Sequence, residues 1–196
     1  MIIAVAISAV VTVTIFEIFG GVILNWKKAE NRMAEDFKAN NLYILLSKKF
    51  DEFYWYKAIK DFDKYFDGKE NSILFISYYS VKIPYFPVTT EIFLDGENNL
   101  VMEETPFFFN RPDAEIPEPK RTVLWKKVKT VKFSYLVSNG AGKKGSNWVG
   151  EYVKSVRDYR KLIGIKCEVI LNSGRKITAF SFVKTKKENG GGGGLL

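Results

Sequence analysis

The chain has no histidine and a single cysteine, Cys167, in 196 residues. The missing imidazole removes the commonest general base and the commonest transition-metal ligand. One thiol excludes an internal disulfide framework. No Walker spacing, no D-x-D-x-D-G loop and no nucleophile motif is present. Asp, Glu, Lys and Ser chemistry stays open, but nothing gathers those residues into a constellation. We therefore expect no enzyme, no metal and no cofactor. Concentrated charge is missing too. The net charge is +8, but the lysines are spread along the whole chain, as on a solvated surface, and nucleic-acid binding is not expected. Proline and glycine are absent from Trp26 to about Lys60, which leaves a helix free to run on.

What is present begins at once. Ile2 to Phe16 carries no charge, Glu17 interrupts, and apolar residues resume to Leu24. As a helix this stretch reaches roughly 34 Å, enough for a hydrocarbon core of ~30 Å. One carboxylate costs a few kcal/mol on insertion scales, which the summed Ile, Val, Leu and Phe transfer outweighs. The reading is a membrane-embedded helix made by Ile2, Ile3, Val5, Ile7, Val10, Val11, Val13, Ile15, Phe16, Glu17, Ile18, Phe19, Val22, Ile23 and Leu24. Glu17 has two readings, a pair for a cation on a neighbouring helix or a carboxylate hydrated near the head groups. Gly20-Gly21 marks either a bend or a close helix contact. No basic n-region precedes Ile2, and Lys27, Lys28 and Arg32 all follow the helix. By the positive-inside rule these favour a cytoplasmic C-terminus, unless orienting basic residues lie upstream of Met1.

Beyond Asn25 about 170 residues remain, enough for one domain with its own core. Leu42, Leu45, Leu46, Phe50 and Phe53 form one helical stripe, expected to pack on the domain's own sheet. Met33 and Phe37 read as an earlier patch on a similar face. Lys48, Lys49, Asp51 and Glu52 read as the solvated side. Tyr54, Trp55 and Tyr56 form an aromatic cluster at the helix end, expected in the core. The helix is taken to run to about residue 66, with Asp67-Gly68 ending it. Asp61, Asp63 and Asp67, interleaved with Lys60, Lys64 and Lys69, read as a charged solvated face.

The period then changes to strands. Ser72 to Ser80 is one, broken by Pro84 and Pro87. Thr89 to Leu94 and Leu100 to Glu104 flank a turn at Asp95–Asn99, which makes a hairpin. Arg111 to Lys120, with three prolines, is an exposed linker. Val123 to Leu136 reads as one strand, and Asn139 to Asn147 as a glycine-rich loop whose flanks are strands. Ile163 to Leu171 and Lys176 to Val183 flank Asn172-Ser173-Gly174 as a second hairpin, with Cys167 buried and inert on the apolar face. Residues 184–196, with five consecutive glycines, read as a mobile tail.

In this order the chain resembles the type IV pilin-like proteins, and more narrowly the J-type minor pseudopilin of the type II secretion system. The resemblance rests on MIIAVAISAVV, on the Leu/Phe-studded helix behind it, and on VTTEIFLDGENNLVMEE (Val88 to Glu104). It rests also on VLWKKVKTVKFSYL, then Trp148 in a loop, then LIGIKCEVILNSGRKITAFSFV (Leu162 to Val183). The family's peptidase motif, a Gly before Phe-Thr-Leu-x-Glu, is not among these residues. Glu17 cannot replace its Glu, because only Ile18 to Leu24 follow before Asn25. A start upstream of Met1, with a basic leader and that motif, is the expectation.

The resemblance implies an α+β, pilin-like fold: residues 1–25 as transmembrane and assembly helix, 26–66 as its continuation, 67–183 as a β-rich head, and 184–196 as the tail. It implies a single-pass inner-membrane protein with its head in the periplasm. It implies a place near the pseudopilus tip beside I-, K- and major G-type subunits. A minor pilin of a type IV pilus or competence system, and a membrane-anchored binding domain or enzyme, remain the alternatives.

Overall fold

The computed structural model describes residues 2–53, 66–78, 80–83, 87–107, 117–138, 145–152 and 162–183. The described residues are α+β: one N-terminal helix and two antiparallel sheets. Helix α1 runs Ile2–Asp51 without interruption. Contacts divide the chain into two units, Met1–Asn41 and Leu42–Leu196. The first is helix alone. The second holds the last turns of α1 and both sheets.

In the second unit, strands β1 (Asp67–Gly68), β2 (Ser72–Ser77), β3 (Val88–Leu94), β4 (Leu100–Pro106) and β5 (Lys120–Trp125) form one sheet in chain order. Strands β6 (Val128–Ser138), β7 (Ser146–Val149), β8 (Leu162–Leu171) and β9 (Lys176–Phe182) form the other, in the order β7-β6-β8-β9. Both expected hairpins are present. β3 meets β4 with Ile92 opposite Met102, and β8 meets β9 with Cys167 opposite Ala179. Period-2 alternation sends Val131, Phe133, Tyr135, Ile165, Cys167, Val169, Ile177 and Ala179 inward, and all are buried. A β8 shifted by one residue would trade those for Lys166 and Glu168.

The expected single strand from Val123 to Leu136 is two strands in different sheets. β5 closes the first sheet, β6 opens the second, and Lys126-Lys127 is the corner. Lys127 stands at φ 53°, an uncommon angle for a side chain with a Cβ. The β3–β4 turn holds it there. Asp95 Oδ1 accepts the N–H groups of Glu97 and Asn99. Asn99 Oδ1 then accepts Lys127 N–H at 3.1 Å, and the Asn98 carbonyl accepts Val128 N–H at 2.7 Å. Two adjacent lysines, which break the alternation, are the trace of this corner in the sequence.

An aromatic chain ties the two sheets together. Phe50 meets Phe75 at 5.9 Å, Phe53 meets Phe66 at 5.4 Å, and Phe66 meets Tyr135 and Tyr152 at 6.5 and 5.7 Å. Gly68 lies under the Tyr135 ring so closely that a Cβ there would sit 2.8 Å from Cζ. The Tyr135 hydroxyl donates to the Lys69 carbonyl at 2.9 Å. Burial raises its pKa well above the ordinary phenol value.

Three expectations change. α1 ends at Asp51, and Phe53 bridges to Ser77 of β2. Asp67-Gly68, expected only as the end of the helical region, forms strand β1, paired with Leu74 and Ile73. Trp148 is in strand β7, opposite Leu136, rather than in a loop. The expected helical stretch from 54, the cluster Tyr54, Trp55 and Tyr56, Asp61 and Asp63, most of the proline linker, most of the glycine-rich loop and the tail lie outside the described residues.

Candidate functional site

The candidate site is α1 itself. Its described apolar side chains from Ile3 to Leu24 are exposed, Ile7, Val10, Val11, Val13, Ile15, Phe16, Ile18, Phe19, Val22 and Ile23 among them. Glu17 is exposed as well. Ile2 and Val5 lie in the helix, but their side chains are outside the described set. The helix is long and apolar enough to cross a membrane, and its apolar stretch is not buried. Its backbone is satisfied internally, as a spanning segment requires, and Thr14 returns its hydroxyl to the Val10 carbonyl at 2.9 Å. α1 passes through Gly20-Gly21 unbroken, and a Cβ at either position would meet nothing within 4 Å.

The apolar surface does not stop at Leu24. Trp26, Met33 and Phe37 are 76%, 71% and 68% exposed. At ~100° per residue they share a narrow stripe with Ile15, Phe19 and Val22, spaced by alternating threes, fours and sevens. Leu42, Leu46 and Phe50 are buried in the second unit. Met33 and Phe37, expected as an earlier patch on a face similar to that of the buried stripe, are instead exposed.

The end of α1 corrects a second expectation. Lys49 was placed on the solvated side, yet its side chain and that of Glu104 are both 0% exposed, with Nζ 2.5 Å from Oε1. Lys49 also donates to Thr90 Oγ1 at 3.2 Å. The carboxylate of Glu104 accepts the N–H groups of Val81 and Lys82 at 3.1 to 3.3 Å. Burial lowers the Lys49 pKa, and the bond and charge of Glu104 oppose that shift. Three residues beyond Leu46 and seven beyond Leu42, position 49 lies on the buried stripe by helical phase, which is the signal that spacing offered. Asp51 accepts the Ser181 hydroxyl of β9 at 2.5 Å, so the last turn of α1 is bonded to both sheets.

Chemistry elsewhere is sparse. Cys167 is sealed in the core, and burial pushes its thiol far above the ordinary range, which leaves no thiolate at neutral pH. Among the described residues no three His, Cys, Asp or Glu side chains are grouped to hold a metal. Asp67 pairs with Lys69 at 2.7 Å on the surface, as a solvated charged face would. Comparison with protein-family models and with curated proteins gives no match.

Proposed function

We propose that this chain is a structural subunit that is held in a membrane by α1 and assembles through it, in the manner of the pilin-like proteins it resembles. In this reading Ile2 to Leu24 cross the inner membrane once, and the sheet domain is a periplasmic head. The filament is a type II secretion pseudopilus, and the subunit is its J-type minor component beside I-, K- and major G-type partners. The observation that carries the reading is the exposed stripe Trp26, Met33 and Phe37. A plain anchor has no use for large apolar side chains at helical spacing up to roughly 20 Å past its last hydrocarbon-facing residue. A helix that joins a bundle of other helices does, because apolar side chains exposed to water beyond the hydrocarbon are stabilised by burial against a neighbouring apolar face. A minor pilin of a type IV pilus would use the same helix with other partners.

Two measurements test this. The first is the intact mass of the N-terminus of protein extracted from native membranes. A chain extended upstream of Met1 and ending in an N-methylated Phe supports prepilin processing, and a chain beginning at Met1 leaves a simple anchor. The second is cross-linking in native membranes from Phe37→Cys. Adducts with other helical membrane subunits are expected, and a variant recovered wholly uncross-linked overturns assembly through α1.

A further inference from the structure

Among the described residues four strands end the two sheets, and three of those edges are blunted. β1 has two residues, and its Gly68 carbonyl accepts Tyr152 N–H at 2.7 Å. β5 carries Lys120 and Arg121, meets β4 across a register shift at Leu100/Val101, and gives its Arg121 carbonyl to Lys82 Nζ at 2.7 Å. β7 has four residues. Shortness, charge and bulges are the devices by which proteins discourage strand-to-strand association.

β9 has none of them. It is seven residues long, with no proline and no register shift against β8. Its one charge, Lys176, is held by Glu168 of β8 at 2.5 Å. The direction of its backbone groups follows from the bonds at its two ends. Val183 N–H donates to the Ile163 carbonyl, and Leu171 N–H donates to the Arg175 carbonyl, both at 2.8 Å. Both bonds keep the register that sets Cys167 opposite Ala179. Ile177, Ala179, Ser181 and Val183 therefore bond to β8, and the N–H and C=O groups of Lys176, Thr178, Phe180 and Phe182 point away from the sheet. Among the described residues the one hydrogen bond those outward backbone groups make is from Ser181 Oγ to the Phe182 carbonyl, at 3.3 Å.

From this geometry we infer that β9 pairs antiparallel with β9 of a second copy of this chain, about a two-fold axis centred on Ala179. That register opposes Thr178 to Phe180 and Lys176 to Phe182, residues whose backbone groups face outward and so exchange both hydrogen bonds. On the inner side Ala179 meets itself and Ile177 meets Ser181. The register is specific. Centring on Phe180 would oppose Lys176 to Lys184, a like-charge pair. Centring on Thr178 would oppose Phe182 to Gly174, which lies in the β8–β9 turn at φ 84°. A two-fold contact must be complementary to itself, and the Ala179 register alone matches the strand end to end.

The side chains beside the edge fit this partner. Phe182 is 61% exposed and packs on Phe180 at 4.6 Å, and Phe180 packs on Trp148 at 5.6 Å. Gly164 of β8 makes room for that cluster, since a Cβ there would sit 3.1 Å from the Phe180 ring. The partner's Lys176 stem then covers Phe182, while its ammonium stays on Glu168.

The test uses the full chain in detergent micelles. Under mild oxidation Thr178→Cys/Phe180→Cys is expected to form a covalent dimer, and Thr178→Cys alone is not. In a Phe37→Glu background, which removes association through α1, Thr178→Pro lacks an N–H that serves only the partner and is expected to convert the dimer to monomer in analytical ultracentrifugation with unchanged near-ultraviolet circular dichroism. The same cross-link is expected in a Phe37→Glu background, which separates it from association through α1. No cross-link in the folded double variant, equal cross-linking by Thr178→Cys alone, or a dimer that persists in folded Phe37→Glu/Thr178→Pro each overturns the proposal.

Discussion

Lys49 shows how little a residue's type says about its place. The ammonium is buried because the helix turns it inward beside Leu46, and it is tolerated because Glu104, Thr90 and two backbone N–H groups complete the network. Removing one partner of such a pair leaves a buried charge and is strongly destabilising, whereas replacing both is much less so. Lys49→Met is expected to lower stability by about 3–5 kcal/mol, and Lys49→Met/Glu104→Leu by clearly less, as read from denaturant melts in a double-mutant cycle. Gly68 is a second such position. A Cβ there collides with the Tyr135 ring, so Gly68→Ala is expected to cost about 1–3 kcal/mol through overpacking, visible as a drop in the urea midpoint. Glu168 gives a pH dependence. Its pKa lies below the ordinary carboxylate value, chiefly through its hydrogen bond to Lys176. A carboxyl with a depressed folded pKa contributes stability above its unfolded pKa, and that contribution is lost as pH falls through the folded value. Stability should fall on acidification below about pH 4.5, and Lys176→Met should flatten that limb in denaturant melts recorded from pH 6 to 3.

At the scale of elements, α1 carries apolar side chains of two kinds, Leu42, Leu46 and Phe50 buried in the second unit and Trp26, Met33 and Phe37 on an exposed face of the first. A charge on the exposed face should separate assembly from folding. Met33→Glu is expected to leave the denaturant midpoint of the sheet domain within about 0.5 kcal/mol, while abolishing subunit cross-links in native membranes. The two hairpins were legible in the sequence because turn residues and period-2 alternation are local signals: Asp95–Asn99 and Asn172–Gly174 each sit between alternating runs. The split of the long run leaves a local trace, the break in alternation at Lys126-Lys127, but that trace does not say that the chain changes sheets. Whether a strand continues or changes sheets depends on a hairpin turn 28 residues earlier, where Asn99 receives Lys127 N–H.

For the whole molecule, the division at Asn41 predicts two unfolding steps. The sheet domain has a packed aromatic core, whereas α1 up to Asn41 depends on its own backbone bonds and on an apolar surrounding. Heating the full chain in detergent should remove the near-ultraviolet aromatic signal in one cooperative step while helical far-ultraviolet signal persists. Simultaneous loss of both would show that the units unfold together.

The sequence by itself determined what depends on neighbours along the chain. It set the long helix, because no proline or glycine interrupts it after Gly21, and its fitness for lipid, because composition alone decides transfer. It set the strand hairpins, their inward faces and the inertness of Cys167. Tertiary structure alone decided which strands share a sheet, and that Glu104 and Thr90 are the partners of the buried Lys49. Those outcomes depend on partners 28 to 130 residues away, such as Asn99 for Lys127, Glu104 for Lys49 and Ser181 for Asp51. No local periodicity encodes contacts at that range.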